Sequence, residues 1–376
     1  MEFFLGLMLG AVAGVIAERL LGYPLDRYLI APVATRRTRN RLEKLNKTFA
    51  VSGELLVLGR SALFIHQFFP VGIDHRHLSA QMSRTTSDLD SRLKRSSLTG
   101  DTVTIAEVEA AQRRWLDELA ADPKAWNGEA LALEQCEVGR IPNSEEPVLH
   151  LWFRQTDYAS ARASEEFWLA QPLNDRRHLD GSILRSVDPF FSNGFGLNCT
   201  VATSDGHVLL SRRGPKARGW VGSWHTSFNE AVSVEDRPPG RDVDLIGAFG
   251  RGLKEELGLD PAQLPGFRDA LTIHTLMLDV DTYQWGLLAH LNLSNTEFTS
   301  ERLRGLRNLG AAPDDWEASE IRFIRFDSGS QDVVAEIERS EEWVPHGLLN
   351  LALSAIVEHP THASQIREAL LQQAVK

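Results

Sequence analysis

The hydrophobic pattern changes period several times along the chain. Residues 3–17 (FFLGLMLGAVAGVIA) are uninterrupted apolar; Glu18 and Arg19 break the run, and Leu20 and Leu21 extend it. As a helix, 3–17 spans about 22 Å, short of a bilayer core of about 30 Å, whereas 3–21 spans about 28 Å and suffices. Residues 49–70 are again apolar but broken by Gly53, Glu54 and Gly59, which predicts a buried helix or a strand pair. Residues 79–103, rich in Ser, Thr, Asp and Arg, read as a flexible connection. Thr104 to Leu119 has amphipathic helical spacing, with Thr104 and Glu107 placed for a capping box. Residues 130–134 and 148–153 read as strands joined by a polar turn, and 156–167 as a loop or short helix. The segment 197–210 reads as strand, Asp-Gly turn, strand. From Asp242 onward the period is helical, with Leu245, Ile246, Phe249, Leu253 and Leu257 on one stripe and Gly258 where a helix-ending glycine belongs. Residues 271–279, 285–293 and 320–326 predict strands, 295–317 is polar with helical patches, and 344–357 is an apolar helix that closes a core.

Charge changes the picture at the N-terminus. The first charge is Glu2, so the basic lead of a cleaved signal peptide is missing; Arg19, Arg27, Arg36, Arg37, Arg39 and Arg41 follow the apolar run instead. By the positive-inside rule this predicts a single-pass anchor in the cell membrane with the remainder cytoplasmic, and a basic juxtamembrane segment against anionic headgroups. Gly6, Gly10 and Gly14 repeat at the spacing that lets membrane helices approach, which suggests a homodimer. The 376 residues carry a net charge of −11, which argues against nucleic acid as a partner. Cys136 and Cys199 have no metal-ligand spacing and suit a reducing compartment. The expected division is 1–22 anchor, 23–47 juxtamembrane segment, 48–188 small α+β domain, 189–330 second domain and 331–376 helices packed on it.

The candidate chemistry lies at residues 251–259 (RGLKEELGL). Glu255 and Glu256 are adjacent carboxylates near the end of a helix, and Arg251 stands one turn before Glu255. Two carboxylates beside an arginine suit a hard divalent cation, which takes one or two protein carboxylates plus substrate phosphates. Paired glutamates are also ordinary on solvated helix faces, so the pair needs its context. The nine-residue string supplies it, because it resembles the second half of the Nudix box: Arg251, Leu253, Glu255, Glu256, Gly258 and Leu259 match. Upstream, the strand–turn–strand of 197–210, the basic Arg212 and Arg213, and Gly219-Trp220-Val221-Gly222-Ser223-Trp224 are similar to the segments that precede the family's box.

The resemblance implies an α+β fold, a Nudix-like α/β/α sandwich around a mixed sheet. It also implies hydrolysis of a nucleoside diphosphate linked to another moiety, with Mg²⁺ or Mn²⁺ as cofactor. Glu255 and Glu256 would hold the metal, joined by an acid from a late loop, of which Glu317 is the choice among Glu297, Glu301, Asp315 and Glu317. Arg251 would orient the carboxylates, Arg212, Arg213 or Lys216 would meet phosphates, and Trp220 or Trp224 would stack a base. The chain departs from the pattern at two points. Gly252 stands where the family has a glutamate, and the first half of the box is split by Asp236-Arg237-Pro238-Pro239-Gly240-Arg241, a run that is not helical. Glu230, upstream of the split, is the candidate to replace the missing acid. The alternative reading is a nucleotide-binding sensor or scaffold at the membrane that does not turn its ligand over.

Overall fold

The computed structural model describes residues 52–58, 61–84, 88–96, 103–121, 127–142, 144–170, 183–217, 219–313, 318–326 and 331–373. The expected anchor, the juxtamembrane segment, the Gly6/Gly10/Gly14 stripe and Glu317 lie outside these residues. Among the described residues no helix is long and apolar enough to cross a membrane.

In chain order the strands are β1 (Glu54–Leu58), β2 (Ser61–Ile73), β3 (Leu78–Met82), β4 (Glu129–Arg140), β5 (Pro147–Asp157), β6 (Phe195–Ala202), β7 (His207–Arg213), β8 (Trp224–His225), β9 (Phe228–Ala231), β10 (Leu271–Asp279), β11 (Gln284–Asn292) and β12 (Ala318–Arg325). The helices are α1 (Leu89–Arg95), α2 (Ile105–Ala121), α3 (Tyr158–Ala170), α4 (Leu245–Leu257), α5 (Phe267–Ala270), α6 (Ser300–Asn308), α7 (Gln331–Glu338), α8 (Pro345–Glu358) and α9 (Ala363–Gln373). Seven strands form the main sheet in the order β1-β2-β10-β11-β6-β7-β12, with β8 on β7 and β9 on β6; β3-β5-β4 form a second sheet. Both sheets are mixed, because β11 and β6 pair in parallel, as do β3 and β5, while the remaining pairs are antiparallel.

Alternation along the strands sends side chains to two cores. Leu197, Cys199 and Val201 of β6 and Trp285, Leu287 and Ala289 of β11 share one cluster with α4, α6 and the small sheet. Ala202, Val208, Leu210 and Leu288 share the other with α7, α8 and α9. Sheet strands buried on both faces read as near-continuous apolar runs, and 285–291 comes nearest to that texture.

The fold differs from the sequence expectation in the first half of the chain. Within the apolar 49–70 segment the described residues form the expected strand pair β1–β2, but the other edge of β2 is hydrogen-bonded to β10, far outside 48–188. Residue 188 is therefore not a boundary between sheets: β1 and β2 complete the sheet that β6–β12 begin. The register slips between Ile273 and Thr275 and between Leu276 and Met277 show how a long strand arriving from far away in sequence is accommodated. The segment 79–103, expected as a connection, contributes β3 and α1, the latter capped by Asp88. Residues 158–170 form a full helix, and Thr104 does make the capping box with Glu107.

Candidate active site at the start and end of helix α4

Helix α4 begins where Asp244 accepts the N–H of Gly247 at 2.9 Å and ends where Gly258 adopts φ +70°. Its apolar stripe is fully buried. Gly250 and Gly252 lower helix propensity, and close approach explains both. A Cβ on Gly250 would lie 2.8 Å from Pro261, and one on Gly252 would lie 3.0 Å from the Phe228 ring and from the Cβ of Glu230. Residue 252 therefore faces β9 with no room for a glutamate side chain. The nearest carboxylate on that side belongs to Glu230 of the strand that the helix packs on.

Four of the predicted residues meet here. Arg251 Nη1 lies 3.0 Å from Glu230 Oε1 and 3.2 Å from Glu255 Oε2, so one guanidinium nitrogen joins the strand acid to the helix acid. Its Nη2 donates to the Ala231 carbonyl at 2.8 Å. Glu256 Oε1 accepts the backbone N–H of Asn229 at 3.1 Å, and Glu230 Oε1 accepts that of Ala231 at 2.9 Å. Both glutamates are thereby seated on the backbone of β9.

A fifth residue was not singled out from the sequence. Asp236 takes two bonds from Arg251, Nε to Oδ1 at 3.1 Å and Nη2 to Oδ2 at 2.9 Å, and its side chain is almost wholly buried. It belongs to the run that splits the box. Ser233 and Asp236 form a capping box there, and the Asp244 N–H donates to the Asp236 carbonyl, which pins the insertion to the start of α4. The Ser-x-x-Asp spacing was the available signal.

The electrostatics follow from three carboxylates around one guanidinium. Burial raises the Glu230 carboxyl to about 7, against the opposing pull of Arg251. Burial works against the charge of Arg251, but the hydrogen bonds and charges of Asp236 and Glu230 outweigh it and raise its pKa. The arginine stays charged, and Glu230 exchanges a proton near neutrality.

The other predicted residues lie apart from this group. Arg212 Nε donates to the Gly222 carbonyl at 2.8 Å and Arg213 Nε to that of Gly219 at 2.8 Å, so both brace the loop between β7 and β8. Arg212 also pairs with Glu320 at 3.4 Å. Trp224 does not stand open for a base: it is 5% exposed, its ring lies 4.0 Å below the Arg322 guanidinium, and it belongs to the core under α8. Trp220, with φ +54°, is the exposed tryptophan of that loop. Glu297 pairs with Arg302 at 2.7 Å.

The oxygen donors of Glu255 and Glu256 have the right chemistry for a hard divalent cation. Among the described residues no group of three or more His, Cys, Asp or Glu could hold one unaided. The fit is to a cation that arrives with phosphate oxygens completing its shell.

No family model matches the chain. No curated protein matches it either. Solved structures similar to part of it include DR0079 from Deinococcus radiodurans, 15% identical over 44% of this chain and 82% of that one, with a TM-score of 0.28. Another is the MutT protein from Methanosarcina mazei Go1, 13% identical over 49% of this chain and 96% of that one, with a TM-score of 0.22. Superpositions this loose decide neither fold nor chemistry.

Proposed function

We propose that the chain is a Nudix-like hydrolase that cleaves a nucleoside diphosphate linked to another moiety, dependent on Mg²⁺ or Mn²⁺. The observation that carries this reading is the place of Glu230. It sits 3.0 Å from the same Arg251 nitrogen that Glu255 uses, and it supplies from β9 the carboxylate for which residue 252 has no room. A divalent ion held by Glu255 and Glu256 would offset the charge of the phosphate oxygens. Glu230, near its midpoint at pH 7, takes a proton from the water that attacks phosphorus as the P–O bond to the leaving phosphate breaks. Arg251, fixed by Asp236, holds Glu230 and Glu255 at their spacing. The apolar run 3–21 serves as a single-pass anchor at the cell membrane, with the catalytic part on the cytoplasmic side.

The test is hydrolysis of a panel of nucleoside diphosphate derivatives by the full chain, with and without Mg²⁺ or Mn²⁺, beside a Glu255→Gln/Glu256→Gln variant. The expected result is metal-dependent turnover that the double variant lacks. Turnover that survives the double substitution, or none on any substrate, overturns the reading. A second reading, a binding module without turnover, is favoured by one observation: Arg251 already neutralises part of the carboxylate group through Glu230, Asp236 and Glu255. Ligand-induced thermal shifts without hydrolysis are its signature.

A further inference from the structure

A different cluster of charge sits on the small sheet. Arg154 comes from β5, Arg92 and Arg95 from α1, and Glu134 from β4, at the irregularity between Leu133 and Gln135 where the β4–β5 register slips. The segment leading into β6 meets them. Arg154 Nη2 donates to the Ser192 carbonyl at 2.5 Å and to Asn193 Oδ1 at 2.6 Å. Arg92 Nη1 reaches the same Asn193 oxygen at 3.4 Å. Two guanidiniums therefore converge on one neutral carboxamide.

Negative charge is scarce around them. Arg95 Nη2 donates to Glu134 Oε1 at 3.1 Å, and among the described residues Glu134 is the one carboxylate that any of the three guanidiniums contacts. Asp88 and Asp157 act on Arg92 from further off, and each is held by a backbone N–H, of Ser91 and of Ser160. Asp188 is taken up by Ser96 Oγ and by the N–H groups of Phe190 and Phe191. The three arginines also act on one another. Burial lowers the Arg154 guanidinium to about 9, with Arg92 and Arg95 adding to the effect and Glu134 opposing it.

Acceptors are short as well. Arg154 is 9% exposed, and its Nε–H is buried without a partner among the described residues. The Nε–H of the half-buried Arg92 is in the same condition. A buried donor left unsatisfied is costly, the more so on a charged group, and it marks a place where an acceptor from outside the chain belongs. The way in is on the α1 side, where the Arg95 side chain is half-exposed.

We propose that Arg92, Arg95 and Arg154 form a binding site for a small phosphate-type anion, sharing no residue with the acids around α4. Such an anion supplies both of the things the cluster lacks: oxygens for the unpartnered N–H groups, and negative charge for three guanidiniums that contact one carboxylate. The guanidinium fork matches phosphate oxygens two at a time, which an ammonium does not. A neutral ligand would leave the charge unmatched, and a metal cation would be repelled. The site does not depend on the hydrolysis proposed above.

The probe is inorganic phosphate, titrated into the full chain by calorimetry. EDTA is present throughout, so that no divalent ion recruits phosphate to Glu255 and Glu256. Phosphate is expected to bind and to raise the thermal midpoint. Arg92→Gln and Arg95→Gln each remove one guanidinium and keep a polar side chain. Each is expected to weaken binding by about tenfold or more, the scale of one charge-assisted hydrogen bond. Without phosphate, Arg92→Gln is expected to unfold no earlier than the parent chain, because it relieves repulsion; an arginine with a purely structural role would lose stability there. Circular dichroism checks that the variants fold, and Arg95→Gln, at a half-exposed position, carries the test if Arg92→Gln does not fold. No binding of phosphate by the parent chain overturns the proposal. So does binding that the folded variants retain in full, which would place the anion elsewhere in the molecule.

Discussion

Gly252 carries a consequence that sets it apart from an ordinary helix glycine. Replacing a helix glycine by alanine gains roughly 0.5–1 kcal/mol where space allows. Here the new Cβ would meet the Phe228 ring and Glu230 at 3.0 Å, so the helix must retreat from β9. Gly252→Ala is expected to lose about 1–3 kcal/mol in chemical denaturation, and Gly252→Glu, which places there the glutamate of the Nudix pattern, to lose more and, on the proposed function, not to raise turnover. A gain in stability or rate from either would show that Glu230 is not the substitute. Glu230 itself makes a prediction in pH. Its carboxyl titrates near 7 in the folded chain, above its ordinary value, so the folded state holds the proton more tightly than the unfolded one. The stability it contributes is present below the ordinary glutamate range and is lost as pH rises through 7. On the proposed function, turnover would run the other way, rising as Glu230 deprotonates. Glu230→Gln should therefore flatten the stability curve between about pH 4.5 and 7 and remove the ascending limb of the rate profile. Urea titrations at several pH values and a pH–rate series read the two effects separately.

At the scale of the element, the inserted run between β9 and α4 acts as a clasp. Asp236 reaches Arg251 with two bonds while its own carbonyl accepts the Asp244 N–H, so the insertion holds both the arginine and the helix start. Asp236→Asn keeps the shape and removes the charge. It is expected to cost about 2 kcal/mol, the scale for a hydrogen-bonded charge whose partner is half-buried. Thermal unfolding measures it, and loss of turnover out of proportion to the small change in fold would mark Asp236 as a residue that positions Arg251. The helix was legible from its stripe and its ending glycine, because both are local signals. The clasp was not, because nothing in the spacing of Asp236 and Arg251 says that a proline-containing run returns to the helix it precedes. The same holds for Trp224. The resemblance implied that Trp220 or Trp224 stacks a base, and only the packing of α8 and Arg322 shows the Trp224 ring closed.

For the whole molecule, the sheet joins segments far apart in sequence. A fragment beginning at residue 189 would keep β6–β12 and α4–α9 but lose α1–α3, the small sheet, β1 and β2, leaving β10 with a bare edge and uncovering its apolar neighbours. That fragment is expected to aggregate where the chain with residues 52–188 is soluble, which sedimentation of the two proteins would decide. The layer under α8 is sensitive to acid. His225 and His274 are buried there, and burial lowers both, His274 to about 3 with His290 adding to the effect and the Asn350 hydrogen bond opposing it. Folded pKa values below the ordinary histidine value mean that stability is present above about pH 6.5 and drains as pH falls toward 3. His274→Gln should shift the acid unfolding midpoint downward. Periodicity, turn glycines and the paired glutamates are written in neighbouring residues, so α4, the β6–β7 hairpin, the β10–β11 pair and the Arg251–Glu255 contact could be read from the string. The union of β2 with β10, the hold of Asp236 on Arg251 and the closure of Trp224 under α8 could not. Each depends on which distant segments share a register, and that choice is made by burial of the two sheet faces together, not by any run of adjacent residues.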